Sequence, residues 1–435
     1  MSDIIIISKY IYHYYRGTLD NYISDPLNAR EFTDTIEKRG VIAIKMGQWL
    51  SHRDDILSEN MINALRPLQK NIKDTNSYSE VYDILRSELG SYMNMMIDPA
   101  ILGSGSISQV HCITIDGVDY VVKIHRKGVL ENFQREHFYW KNFIYGVRIF
   151  QLRFAIDLEG FLDAIRDQFY YDKEFDNYKK IRLILSDLHF VTLPNMKYVK
   201  KGCMVMTRIK GFTYKEIQEN YPEYLRDMSE KLMISYFWMV YCGHVHTDMH
   251  DGNFLYVVDN DDDENNKIGL FDFGLGFSLP SRGDSGIAML LWTAFIRRDK
   301  GRMVDLFGVI LKHKPNKHVL NELDPFRLVS KEKELSFCEW LEDLLFQLSE
   351  KRCVIETRYM YVFMGFILLA RSFVSINGDE CIEFDVFGSS LRAMACLSHE
   401  PIAQVGKRML RDFEIFSNET GTKEKVNKTR TIHIS

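Results

Sequence analysis

The segment His246-Thr247-Asp248-Met249-His250-Asp251-Gly252-Asn253 sets a carboxylate and a carboxamide five residues apart, and Asp272-Phe273-Gly274 follows downstream. These groups suit chemistry on a phosphate. Phosphoryl transfer asks for a carboxylate beside the acceptor hydroxyl and for oxygen ligands that hold Mg²⁺ against the phosphates. Asp248 fits the base, and Asn253 and Asp272 fit the metal ligands. Each string alone is common, since an acidic residue before Phe is often just a strand end. In this order, with a short hairpin between them, they are far more specific.

Upstream, Gly103-Ser104-Gly105-Ser106 precedes a β-rich stretch that carries Lys123 in Val121-Val122-Lys123-Ile124. Glycines let a backbone come close to phosphates, and a strand lysine reaches the α- and β-phosphates. Together with HxDxxxxN and DFG, this order resembles the protein-kinase pattern. Glu174, on the helix that follows, is then the natural partner of Lys123, although Asp172, Lys173 and Asp176 around it also suit a solvated helix face. The stretch Cys203–Gly211 reads as a strand running into a hinge, with backbone groups around Thr207 and Ile209 facing the adenine. A competing reading uses the same histidines. His244, His246, Asp248 and His250 spell HxHxDxH, close to a binuclear metallo-hydrolase motif, and imidazole with carboxylate suits Zn²⁺. That reading leaves Lys123 and Asp272 without a task.

The elements that must position these groups follow from periodicity. Apolar residues recur at helical spacing through Phe32–Leu50, Asn60–Leu68 and Tyr78–Leu89. From Ile101 to Ile124 the residues alternate and are β-branched, with Asp116-Gly117 marking a type I′ hairpin turn. Helical spacing returns over Phe161–Leu185, and short strands are expected near Val191 and over Cys203–Ile209. A long helix is predicted from Tyr221 to Tyr241. Two strands, Phe254–Val258 and Lys267–Phe271, flank the acidic loop Asp259–Asn266. Almost everything after Gly283 is helical, and the polar tail from Ser417 is expected to be loose.

Composition sets outer limits. The chain has 435 residues, 46% hydrophobic and 26% charged, with a net charge of −5. That excludes global disorder and argues against a dedicated nucleic-acid binder. Seven cysteines scattered singly, without a CxxC pair, suggest reduced thiols of an intracellular, cytoplasmic protein rather than a zinc ribbon or disulfide scaffold. The stretch Met1–Arg16 lacks signal- or transit-peptide character, and the runs Ile287–Ile296 and Tyr359–Ala370 are too short for a transmembrane span. The N-x-T patterns at Asn418 and Asn427 carry no weight without a secretory route.

The N-terminal region narrows the family. Gly40–Leu57 contains Lys45-Met46-Gly47-Gln48, followed by Trp49-Leu50-Ser51-His52-Arg53-Asp54-Asp55-Ile56-Leu57 and by Leu65-Arg66-Pro67-Leu68-Gln69. This resembles the KxGQ motif and its surround in the UbiB-type atypical kinases, the ADCK kinases of eukaryotes. Ser106–His111 is similar to that family's SIGQVH, and Gly243–Asn253 to its GFFHADPHPGN. The chain passes from Gly274 into the helix Ser285–Arg297 without an APE-terminated segment, again as in the family.

Two positions depart from the family. Gly103-Ser104-Gly105 stands where it has an alanine-rich loop, and Gln168-Phe169-Tyr170 falls on its ExD motif if Glu174 and Asn177 fill ExxN. Shifting the register to put Glu174-Phe175-Asp176 at ExD would place Lys180 at the αC glutamate.

The resemblance implies an α+β, two-lobed, protein-kinase-like fold. Residues 1–98 would form a helical extension carrying KxGQ, 99–210 an N-lobe, 211–416 a helical C-lobe and 417–435 a flexible tail. It further implies that ATP and Mg²⁺ bind and that phosphate is transferred or hydrolysed, linked to isoprenoid-quinone or lipid metabolism, with peripheral membrane association. The acceptor stays open among lipid, small molecule and protein, and a nucleotide-sensing scaffold without turnover is the second reading. Lys45, Gly47 and Gln48 would be regulatory, with Lys45 towards the phosphates and large peptides excluded.

Overall fold

A computed structural model describes residues 13, 16–53, 57–69, 76–90, 95–149, 157–259, 265–279, 283–313, 317–327, 337–374 and 382–420. Expectations for Asp54–Ile56, most of Met1–Arg16, the middle of the acidic loop and the tail beyond Thr420 lie outside these residues. The chain forms two compact units. One contains Met1–Arg153, Leu158–Asp172 and Asn195–Arg208; the other contains Phe154–Asp157, Lys173–Pro194 and Ile209–Ser435.

Among the described residues, the first unit contains from Leu19 the helices α1 (Leu19–Ile23), α2 (Pro26–Glu37), α3 (Val41–Leu50) and α4 (Glu59–Leu65). A 3₁₀ turn, Arg66–Gln69, continues α4. The single helical run expected over Phe32–Leu50 is thus two helices. Gly40, at φ 98°, breaks it, because that left-handed conformation is cheap only for glycine. Helix α5 (Tyr78–Leu89) starts with a capping box between Ser77 and Glu80.

Three strands follow, β1 (Met95–Ser104), β2 (Ser108–Ile115) and β3 (Val118–His125). The β2–β3 turn is the expected Asp-Gly turn, with φ 51° at Asp116 and 81° at Gly117. Next comes α6 (Val129–Ile149), which the periodicity did not reveal. Then α7 (Leu158–Asp167) and α8 (Tyr171–Leu185) divide what reads in sequence as one helix, Phe161–Leu185. Strands β4 (Val191–Thr192), β5 (Met196–Val199) and β6 (Cys203–Thr207) come next in the chain; β5 and β6 belong to the first unit, whereas β4 and α8 from Lys173 onward belong to the second.

The first unit's sheet has the order β1-β2-β3-β6-β5, antiparallel throughout. Alternation along β3 sends Tyr120, Val122 and Ile124 to one face, where Val81 and Leu85 of α5 join them with Ile97, Ile113, Ile115, Cys203 and Val205. Val121 belongs to the opposite face, with Met204, Met206 and Tyr171, and Lys123 shares that face by the same alternation.

A buried polar network ties the segment before α5 to the sheet. Gln109 Oε1 accepts from Asn76 N at 2.7 Å, and Gln109 Nε2 lies 2.8 Å from His111 Nε2. Asn76 in turn donates to His125 O at 3.0 Å and accepts from Lys127 N at 2.7 Å. The Gln and His of the SIGQVH-like string are therefore structural glue.

The second unit is mainly helical. It contains α9 (Tyr214–Asn220), α10 (Leu225–Cys242), β7 (His244–His246), β8 (Phe254–Val257), β9 (Lys267–Leu270) and β10 (Gly276–Ser278). Helices α11 (Ile287–Ile296), α12 (Lys300–Ile310), α13 (Lys317–Glu322), α14 (Phe337–Glu350), α15 (Thr357–Val374), α16 (Ile382–Ala395) and α17 (Glu400–Thr420) follow. Helix α10 starts four residues later than the Tyr221 expected from sequence, after a 3₁₀ turn that begins at Pro222. Among the described residues, no helix is long and apolar enough to cross a membrane.

Replacing Gln109 by Leu keeps the volume but leaves the Asn76 N–H and the His111 ring without this partner. Loss of a buried partner costs about 1–3 kcal/mol, so Gln109→Leu should lower the melting temperature measurably. An unchanged melt in differential scanning fluorimetry would contradict the role of this network.

Candidate functional site

In the second unit the site is built from the end of α10 onward. Gly243 ends that helix in the left-handed conformation, φ 85°, and its N–H caps Met239 and Val240 carbonyls. Strand β7 then pairs antiparallel with β10, matching His246 to Gly276 and His244 to Ser278. Thr247 N donates to Leu275 O at 3.0 Å, so the chain enters Asp248 already tied to the strand after Asp272-Phe273-Gly274.

Three hydrogen bonds shape the turn from Asp248 to Asn253. Asn253 Nδ2 donates to Asp248 O at 2.9 Å, Asn253 N donates to His250 O at 2.9 Å, and Gly252 N donates to His250 Nδ1 at 3.0 Å. Asn253 O accepts from Phe271 N at 3.1 Å, which brings the residue before Asp272 alongside Asn253. Because Nδ2 is used on the loop, the amide of Asn253 presents Oδ1 as its other face, the hard oxygen a divalent cation takes.

Asp272 has φ 58°. Asp tolerates this region better than most residues, and its carboxylate bends back to accept from Gly274 N at 3.4 Å. Phe273 is fully buried. Its ring meets Tyr178 edge-on at 5.4 Å and lies 5.5 Å from His246. Its carbonyl accepts from Asn177 Nδ2 at 3.1 Å. Gly276 is needed beside it, since a Cβ there would sit 2.7 Å from Asn177.

The histidines do not gather around a metal. His244 Nδ1 lies 2.9 Å from Ser278 Oγ, and His246 Nε2 lies 3.2 Å from Phe271 O. Burial, reinforced by the charge of Lys180, pushes His244 down to about 4, and burial likewise lowers His246. Both rings are neutral struts of the strand. Among the described residues, no three of His, Cys, Asp or Glu are placed to hold a metal ion, so HxHxDxH does not form the binuclear centre its spelling suggests. Asn253 with Asp272 fits Mg²⁺ better, because Mg²⁺ takes few protein ligands and completes its shell with water and phosphate.

Glu174 is 2% exposed, whereas Asp176 is exposed and paired with Lys179 at 2.8 Å. Two residues apart on a helix, they face different ways, Glu174 into the interior and Asp176 towards solvent. Gln168 and Tyr170 fall in the break between α7 and α8. Ile209 packs on β9, where a Cβ at Gly269 would lie 2.7 Å from its Cγ2.

In the first unit, Gly103-Ser104 ends β1 and Ser108 begins β2, with Gly105 N donating to Ser108 O at 2.8 Å. Gly103 and Gly105 have no positive φ, and an added Cβ would meet nothing nearer than 3.7 Å. Neither backbone strain nor crowding demands glycine there. The Ser106 side chain is buried, and its Oγ has no hydrogen-bond partner among the described residues. Lys123 pairs in register with Val110 and Met204. Thr207 closes β6, exchanging bonds with Asn195 at 2.8 and 3.0 Å.

Of the KxGQ residues, Gly47 is the contact point of α3, where a Cβ would lie 2.4 Å from Leu68 Cδ1. Gln48 Nε2 donates to Leu68 O at 2.9 Å. Lys45 stands on the same helix, partly buried.

Sequence reasoning missed Gly365 on α15. A Cβ there would lie 2.6 Å from Thr247 O and 2.9 Å from Tyr236 Oη, whose hydroxyl donates to Val362 O at 2.5 Å. Helix α15 thus supports the segment leading into Asp248. No local signal marks it, since the contact spans more than a hundred residues.

Comparison with known proteins bears on this arrangement. A protein named "Probable protein kinase UbiB" from Marinobacter nauticus is 27% identical over 291 residues, covering 62% of this chain and 51% of that protein. "Uncharacterized protein in hydrogenase 1 5′region" from Clostridium pasteurianum is 31% identical over 268 residues, covering 58% of this chain and 48% of that one. The chain spans about half the length of these curated relatives. The solved complex of Rv3197 with erythromycin from Mycobacterium tuberculosis has 19% identity and a TM-score of 0.45, covering 78% of this chain and 90% of that one. The family model for the ABC1 atypical kinase-like domain matches residues 67–307, more than half of the chain. With its α+β, kinase-like architecture, the chain belongs to the ABC1 atypical kinase-like family, to which the UbiB-type kinases also belong.

Proposed function

We propose that the chain binds ATP with Mg²⁺ and transfers or hydrolyses the γ-phosphate, as a UbiB-type atypical kinase or ATPase. The observation that carries this reading is the bonded loop in which Asn253 holds the Asp248 carbonyl while Phe271 N–H, next to Asp272, holds the Asn253 carbonyl. Asn253 Oδ1 and the Asp272 carboxylate would hold Mg²⁺, which offsets the negative charge that builds on the phosphates. Asp248 takes the proton of the acceptor hydroxyl or water.

Lys123 and Lys45 are the cations for the phosphates, and Glu174 orients Lys123. The turn Gly103-Ser104-Gly105-Ser106 supports this role, because its glycines are free of any backbone requirement and Ser106 Oγ is a buried hydroxyl suited to a phosphate oxygen. Thr207 and Ile209 serve the adenine. Gly47 and Gln48 seat the Lys45 helix and so act through it. The family's link to isoprenoid-quinone and lipid metabolism supports lipid acceptors, met by peripheral membrane association in the cytoplasm, as the first class to assay.

Thermal stabilisation tests the metal and nucleotide together. Ligand at 100 times its Kd stabilises by about 2.7 kcal/mol, so Mg-ATP should raise the melting temperature, and Asp272→Asn should blunt the shift. Stabilisation by Zn²⁺ but not by Mg-ATP would count against the reading. Turnover is tested separately. Asp248→Asn should abolish ADP release while leaving Mg-ATP binding nearly intact, because a base acts in the transition state. Equal, slow ADP release from both proteins would favour a nucleotide-sensing scaffold.

Gly365→Ala should lower both the melting temperature and ADP release, since overpacking typically costs about 1–3 kcal/mol. If neither moves, α15 does not support the Asp248 loop.

A further inference from the structure

The helix that carries Lys45 is capped from far along the chain. Its Ncap residue is Gly40, which has no side chain to offer. Instead Ile42 N donates to Glu136 Oε2 at 3.0 Å, across 94 residues, from helix α6. The fit is close. A Cβ at Gly40 would fall 2.0 Å from Glu136 Oε1 and 2.2 Å from its carboxyl carbon, so the carboxylate occupies the space that glycine leaves open.

Burial pushes the Glu136 carboxyl above the usual range, while the Ile42 and Val41 N–H groups and the Arg135 charge pull it back. A carboxylate at this end complements the helix dipole as well as satisfying an orphan donor. At the other end, Gly47 lets α3 lie against Leu68, and Gln48 bonds the Leu68 carbonyl. Lys45 lies midway, three residues from Ile42 and three from Gln48. The helix is pinned on both sides of it, so the direction of the Lys45 stem follows from the two attachments.

We infer that Glu136 is a positioning residue: by capping α3 it fixes the rotation of that helix, and it acts on the nucleotide only through Lys45. The inference rests on the Mg-ATP reading and on the Lys45 role within it. A residue that merely stabilises the fold lowers the melting temperature but leaves the affinity of the folded protein alone. One that positions Lys45 changes affinity, and its effect vanishes once Lys45 is gone.

A double-mutant cycle on the full chain separates these cases, with Kd for Mg-ATP measured by titration calorimetry. Glu136→Ala is expected to shift Kd in the same direction as Lys45→Ala, by about threefold or more given the usual weight of a helix cap. The double variant should show no further shift beyond Lys45→Ala. Glu136→Gln, which keeps an acceptor oxygen, should stay close to wild type. Gly40→Ala, whose methyl displaces the carboxylate, should reproduce Glu136→Ala.

If Glu136→Ala fails to fold, Glu136→Asp, one methylene too short for Ile42 N, takes its place in the cycle. A Kd unchanged in Glu136→Ala while Lys45→Ala moves it, or fully additive shifts, overturns the inference alone. An unchanged Kd in Lys45→Ala removes the Lys45 role and this inference with it. Absence of Mg-ATP binding by the wild type overturns the parent reading.

Discussion

Asn253 joins two loops through its side chain and its backbone at once. Its amide nitrogen holds the carbonyl of Asp248, and its own carbonyl holds the N–H of Phe271. A carboxylate and two metal-competent oxygens are therefore placed by a handful of hydrogen bonds rather than by long side chains searching for each other. Such bonds are worth most where they are dry, and Asn253 is buried. The surrounding packing serves this node. Phe273 is locked between Tyr178 and His246, Asn177 holds its carbonyl, and Gly365 leaves room for the Thr247 carbonyl.

The first unit follows a related logic with a different emphasis. Its sheet is covered on one face by α5, which the sequence places in the N-terminal helical region, so that helix contributes to the sheet's core. The Gln109–Asn76 network then fixes how the chain enters α5. The KxGQ string divides its labour. Gly47 and Gln48 do the packing against Leu68, and Lys45 stands between Ile42 and Gln48 on the same helix.

Legibility in the sequence tracked how local each device is. The Asp116-Gly117 turn was readable because two adjacent residues must both take positive φ, and they do. The HxDxxxxN and DFG strings were readable because their geometry is closed within one hairpin. Helix α6 was not, because Phe138, Tyr139, Phe143 and Tyr145 are exposed and so blur the single apolar stripe that betrays a helix. The break at Gly40 follows from its positive φ and from Glu136, 96 residues away, and the need for glycine at 365 from Thr247 and Tyr236. The histidine string shows the limit of spelling, and the sequence already counted against a metal centre there, since that reading leaves Lys123 and Asp272 without a task. Its spelling is close to that of a metal centre, yet the His244 ring bonds Ser278 and the His246 ring bonds the Phe271 carbonyl.

The central claim is that Asn253 and Asp272 form the metal end of a nucleotide site. Crystals grown with Mn²⁺ and a non-hydrolysable ATP analogue would show the ion directly by its anomalous scattering. The account predicts a peak at about 2.1 Å, the octahedral distance usual for Mg²⁺, from both Asn253 Oδ1 and an Asp272 carboxylate oxygen. A nucleotide bound with no peak between those two oxygens, or a peak seated instead on His244, His246 or His250, would contradict it.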